Sequence, residues 1–197
     1  MKKVVLLFCL AFTIVLIGCK SPIILVEGEP TVIKGEEVVE VQFTYDNLRI
    51  GNEPEDEYVK RRMQEFEDDG KDGQEWHDAW LRDRTDRFEP RFIELANNYT
   101  EEKFGLVFKK DQDDTRYIVK VNTYFTEPGF YTYVRNKPAA VGLNITILER
   151  NNPDTPVAVF DMPEIEGIVT PDVGTRITSA YRFAGRIFGS EMTKYIR

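Results

Sequence analysis

Few side chains in this sequence combine reactivity with neighbours that would activate it. His77 is the single histidine, set in Glu75-Trp76-His77-Asp78-Ala79-Trp80. A helical metal pair needs a second ligand three or four residues away on the same face. Those positions hold Gly73, Gln74, Trp80 and Leu81, so the spacing predicts a partly exposed histidine at a helix start and no metal. The serines are Ser21, Ser179 and Ser190, and none lies in a Gly-x-Ser-x-Gly turn. A triad built on any of them would have to borrow His77. Phosphate-binding glycine loops are absent, since Gly70-Lys71 is an isolated pair in an acidic turn. Asp111-Gln112-Asp113-Asp114-Thr115 begins like a calcium loop, but Arg116 and Asn122 stand where the glycine and the closing glutamate belong. Carboxylates are plentiful, yet no spacing singles out an acid–base pair. The expectation is a non-enzymatic protein without a cofactor.

Two stretches carry more specific chemistry. The connection Phe125 to Lys137 places Phe130, Tyr131 and Tyr133 beside Arg135 and Lys137, a mixture that a sugar-, peptide- or anion-binding surface uses. The alternative is that Pro128-Gly129 forms a bulge and the aromatics extend a hairpin into the core. The other stretch is the N-terminus. Lys2 and Lys3 precede an apolar run from Val4 to Ile17, broken only by Thr13 and closed by Gly18-Cys19. This is a signal-peptide pattern, too short for a comfortable membrane span. Cys9 and Cys19 are the only cysteines, so disulfides, cysteine metal sites and a cysteine nucleophile are excluded beyond residue 19.

These features need elements to hold them. Tyr117, Val119, Val121 and Phe125 alternate with polar residues, as do Val141, Leu143, Ile145 and Ile147, so both stretches read as strands with one buried face. Val157–Phe160 adds a short strand, Glu37–Tyr45 an earlier one, and Phe104–Lys109 another. Pro54 with Glu55, Asp56 and Glu57 opens a helix that ends near Gly70. A second helical pattern spans 74–99, carries Trp76, Trp80, Phe88, Phe92, Leu95 and Tyr99, and should break or kink at Pro90. Its aromatic stripe reads as core, with a ligand-stacking platform as the alternative. A last helix over 172–195 buries Val173, Ile177, Ala180, Tyr181, Ala184, Phe188 and Met192 and turns Ser179, Arg182, Arg186, Ser190 and Thr193 outward. Gly185 and Gly189 beside that face suit close approach to a sheet. The predicted fold is α+β, with a mixed, largely antiparallel sheet of about five strands covered by helices on at least one face. Residues 1–18 read as a signal peptide and 19–35 as a tether with a short extended piece at Ile23–Val26. Residues 36–197 read as a single domain.

The tetrapeptide Leu16-Ile17-Gly18-Cys19 resembles the bacterial lipobox, which implies cleavage behind Gly18 and lipidation of Cys19. Lys20-Ser21-Pro22 follows it instead of an aspartate, and by resemblance to the bacterial sorting pattern this implies the outer membrane. No acidic run follows the cysteine, which favours the periplasmic face. Together with Phe125-Thr-Glu-Pro-Gly-Phe130 and Ile177-Thr-Ser-Ala-Tyr-Arg-Phe-Ala-Gly-Arg-Ile-Phe-Gly189, the lipobox makes the chain similar to lipoproteins of the Bacteroidetes. That resemblance implies an envelope location and no particular activity, and Cys19 is the one functional residue it carries over. The formal charge is -8, and it becomes more negative when Lys2 and Lys3 leave with the leader. Such a surface opposes general attraction to nucleic acid. The expected partners are therefore the membrane, through Cys19, and an envelope protein, with small-ligand binding at 125–137 as the alternative. Replacing Cys19 with alanine should leave the precursor uncleaved and without acyl label. Continued acyl labelling of that variant would refute the anchor.

Overall fold

A computed structural model describes residues 22–197, and Cys19 with the leader lies outside them. The chain runs β1 (Ile24–Gly28), β2 (Val38–Thr44), β3 (Arg49–Ile50), β4 (Glu53–Pro54), α1 (Glu55–Asp68), α2 (Gly73–Asp83) and α3 (Glu89–Phe104). It continues through β5 (Val107–Lys109), β6 (Tyr117–Glu127), β7 (Phe130–Tyr131), β8 (Asn136–Lys137), β9 (Ala140–Glu149) and β10 (Asn152–Glu166), and finishes with α4 (Val173–Ile196). The fold is α+β, as the alternating strands predict. The main sheet has eight strands rather than about five, in the order β1-β10-β9-β6-β2-β5, with β3 and β4 attached beside β6. β6, β9, β10 and β1 pair antiparallel, whereas β2 lies parallel to both β5 and β6. The three helices between β2 and β5 supply the crossover that parallel pairing demands.

Hydrophobic alternation gives the sheet its inner face. Val39, Val41, Val119, Val121, Leu143, Ile145, Ile147, Phe160 and Met162 are fully buried beneath α3 and α4. A bulge between Thr123 and Phe125 reverses the alternation near the end of β6. Thr123, ahead of the bulge, continues the inner face with its Oγ1 2.6 Å from Tyr181 Oη, whereas Phe125 beyond it is only half-buried. The outer face is half-covered by its own side chains, for example Tyr124 donating to Asp161 at 3.2 Å.

Several sequence expectations shift. Residues 24–28, expected in the tether, form an edge strand on β10, and a 3₁₀ turn at Pro30–Ile33 buries both Pro30 and Ile33. The helical pattern at 74–99 is interrupted by a π-type segment at Arg84–Phe88, directly ahead of Pro90 in the first turn of α3. Tyr99 turns outward while Ala96 and Thr100 take the core positions. β10 runs from Asn152 to Glu166, far beyond the short strand expected at Val157–Phe160. Ser179 is buried, accepting from Ile168 N at 2.8 Å and donating to Arg176 O at 2.6 Å.

Gly185 and Gly189 do mark a close approach, but to a helix and not to the sheet. A methyl group at Gly185 would lie 2.1 Å from Phe92 O, and one at Gly189 2.4 Å from Ala96 O. α4 thus presses its bare backbone on α3 over one full turn. Gly185→Ala and Gly189→Ala should each destabilise the fold by about 1–3 kcal/mol, because overpacking against main chain outweighs the gain in helix propensity. Denaturant melts measure this, with exposed Ser190→Ala as a near-neutral control, and unchanged stability of both glycine variants would refute the contact.

Candidate functional site

The β3–β4 hairpin turns through Gly51 at φ 58, a conformation that glycine adopts freely. From Pro54 the chain enters α1, whose helix buries no residue completely. It is held to α2 by aromatic rings and one carboxylate. Tyr58 packs against Trp80 at 5.5 Å between centroids, Phe66 against Trp76 at 5.7 Å, and Trp76 stacks on Trp80 at 6.0 Å. Trp80 Nε1 donates to Glu55 at 2.7 Å, and the same carboxylate takes the Arg84 guanidinium. The α1–α2 hairpin therefore stands as a wall beside the sheet, opposite the end of β6 and the first turn of α4.

Between these walls lies a cleft of about 620 Å³. Ile50–Glu53 form its floor, Tyr58, Arg61, Arg62, Trp76 and Trp80 one side, and Glu127–Gly129, Val173 and Arg176 the other. The cations in it differ in their pairing. Arg61 bridges Glu53 and Glu65, and those hydrogen bonds raise its pKa while lowering that of Glu65. Arg62 pairs with Glu65 and stacks its guanidinium over Phe66 and Trp76, 5.4 and 5.7 Å from the ring centres. Its Nε is buried and has no hydrogen-bond partner among the described residues.

Arg176 is 5% exposed. Its Nε donates to Pro128 O at 3.0 Å, Nη1 to Thr170 O at 2.6 Å and Pro171 O at 2.8 Å, and Nη2 to Gly129 O at 3.4 Å. Four carbonyls solvate it, and no carboxylate among the described residues pairs with it. Burial pulls its pKa below the ordinary arginine value, and the nearby Asp172 charge only partly opposes that. Asp172 is committed elsewhere: it accepts from Thr175 Oγ1 at 2.6 Å and from Arg87 at 3.0 Å, and caps α4 by accepting from Thr175 N at 2.7 Å. Those bonds hold its pKa down to about 2. An unpaired buried cation is costly, and an anion placed against it would recover part of that cost.

A second polar cluster sits under the sheet. Buried Glu89 accepts from Tyr45 Oη at 3.3 Å and pairs with Lys110, while Arg84 lies 4.0 Å above the Tyr45 ring. Burial pushes the pKa of Tyr45 up, and that of Tyr181 to about 12. Glu89, Lys110 and Arg84 all have partners, and none of them lines the cleft. This cluster ties the π-type segment to the sheet.

The residues singled out in the sequence fall mostly outside the cleft. Phe130, Tyr131, Tyr133, Arg135 and Lys137 belong to the β7–β8 hairpin, whose tip is exposed, with Tyr133 fully in solvent. None of the five lines the cleft, so the aromatics extend neither into the core nor into this concavity. The connection contributes its base instead: Glu127 lines the cleft, and Lys137 binds it at 2.6 Å. His77 is half-buried in a groove on the outer side of α1 and α2, next to Val59, Met63 and Leu81. No group of three or more His, Cys, Asp or Glu among the described residues could hold a metal ion. Sequence reading missed Arg61, Arg62 and Arg176. Arg176 had a signal, because it falls among Val173, Ile177 and Ala180, inside the apolar arc of α4.

No protein-family model matches the chain, and no curated protein does. Two solved structures share part of its outline, the PelC dodecamer from Paraburkholderia phytofirmans and a substituted form of it. Each has a TM-score of 0.42 and 11% identity, over 84% of this chain and 95% of theirs. The likeness is too remote to transfer anything to this chain.

Proposed function

We propose that this chain is a lipid-anchored cell-envelope protein that binds rather than transforms, and that its cleft takes a small anionic ligand. The observation that carries the reading is Arg176, a guanidinium buried at the cleft wall with four carbonyl acceptors and no carboxylate. An incoming carboxylate or phosphate supplies the counter-charge, and charge-assisted hydrogen bonds of this kind are stronger than neutral ones. Trp76, Trp80 and Tyr58 offer ring faces beside it, as suits a carboxylated sugar or another flat apolar body. The anchor is the reading of Cys19 and its lipobox, with the outer membrane and its periplasmic face as the proposed location.

An assembly role is the second reading. Val59, Met63 and exposed Leu81 line the outer α1–α2 groove, with Asp56, Lys60 and Glu67 around them, which suits an apolar segment of an envelope partner. The two readings use opposite sides of the same helical hairpin.

The chain's two tryptophans both line the cleft, so intrinsic fluorescence reports on its occupant. Glucuronate, citrate or phosphate should produce a saturable change, and uncharged glucose should not. Arg176→Gln should weaken the response about tenfold or more, and Arg176→Lys should recover part of it. A thermal melt of each variant checks that it folds. Absence of any saturable response, or wild-type affinity in a folded Arg176→Gln protein, would remove the reading.

A further inference from the structure

The end of the molecule opposite the cleft is built differently from the rest of its acidic surface. Ile23 is buried in the core, so the chain leaves the domain at a fixed point, Pro22. Pro22 lies in a shallow depression of about 310 Å³ with Tyr99, Arg186, Ser190, Glu191 and Lys194. Along α4 the exposed positions recur every fourth residue as Arg182, Arg186, Ser190 and Lys194, and Arg197 follows. Glu191 is the one carboxylate side chain on this half of the helix, and it pairs with Lys194 at 2.6 Å. Beside this basic stripe the first half of β1 is apolar and exposed, Ile24 47%, Leu25 37% and Val26 60%, ahead of exposed Glu27, and Tyr99 projects from α3 at 38%. Cations, an amphipathic ring and an apolar edge together suit the boundary between lipid headgroups and acyl chains.

The chain length sets the distance. From Cys19 to Pro22 the backbone spans at most about 10 Å, which is also about the Debye length at moderate salt. With Cys19 acylated, Arg186 and Lys194 stay within electrostatic reach of the headgroups of an anionic leaflet. We infer that β1, Tyr99 and the C-terminal half of α4 form a membrane-resting face that takes anionic lipid headgroups and holds the domain in one orientation. This rests on acylation of Cys19. The cleft lies at the other end of α4, since Arg176 is 14 residues before Ser190, roughly 20 Å along the axis. In this orientation the cleft stays clear of the bilayer.

The test uses the full lipidated protein in vesicles. The chain has no thiol after residue 19, so Ser190→Cys gives a single site for an environment-sensitive dye, and Thr132→Cys at the β7–β8 hairpin is the distant control. Intact mass is measured first. An unmodified Cys19 would overturn the anchor and this face with it. In acylated protein on phosphatidylcholine vesicles with roughly one quarter phosphatidylglycerol, the dye at 190 should shift to the blue. A headgroup-located quencher should act on it at least about twofold more than on the dye at 132, and Arg186→Glu with Lys194→Glu should remove most of that difference. Equal quenching at both sites in acylated protein overturns the face alone. A disulfide linking two unlabelled Ser190→Cys chains would mean that a second copy covers the surface, and that also overturns it.

Discussion

The packing of α4 on α3 depends on two missing methyl groups. Where Gly185 and Gly189 cross Phe92 and Ala96, main chain meets main chain, and no other residue would let the helices come so near. That contact fixes both helices on the sheet, with Phe92, Phe108 and Phe160 gathered around Phe188. It also fixes where α4 begins. Asp172 caps the helix, Arg87 from the π-type segment ties down the cap, and Arg176 is thereby delivered one turn later to the cleft wall.

The charged groups beneath the surface then divide into two kinds. Glu89 has Lys110 and Tyr45, Glu40 has Arg150, and Glu55 has Arg84 and Trp80. Each pair joins elements distant in sequence and leaves no charge unanswered. Arg176 departs from that pattern, because its partners are dipoles only, from two loops that meet at the cleft. As a strut it organises the loops at 128–129 and 170–171. As a cation it remains uncompensated, and a low-dielectric position makes that matter more than it would in water.

Local periodicity made much of the fold legible. The inner faces of β6 up to Val121 and of β9, the buried arc of α4, and the start of α1 behind Pro54 all follow from spacing alone. What spacing could not supply was partnership over long range. β2 pairs in parallel with two strands that follow three helices, and nothing in Val38–Thr44 announces it. β1 looked like linker because Gly28, Pro30 and Gly35 interrupt it, yet Ile23 and Ile33 anchor it to the core on either side. The bulge after Thr123 moved Phe125 out of phase by one residue. The cleft was hidden for the same reason: its arginines and aromatics come from three helices, and each looks ordinary in its own helix. The exposed aromatics at 130–133 drew attention by composition, whereas an arginine inside an apolar helical arc was the quieter and better signal.

If a small anion lies against Arg176, native mass spectrometry of the gently purified wild-type protein will show it as an adduct that is lost on denaturation and missing from folded Arg176→Gln. Wild-type protein that carries no adduct, or an equal adduct on both forms, would contradict the proposal.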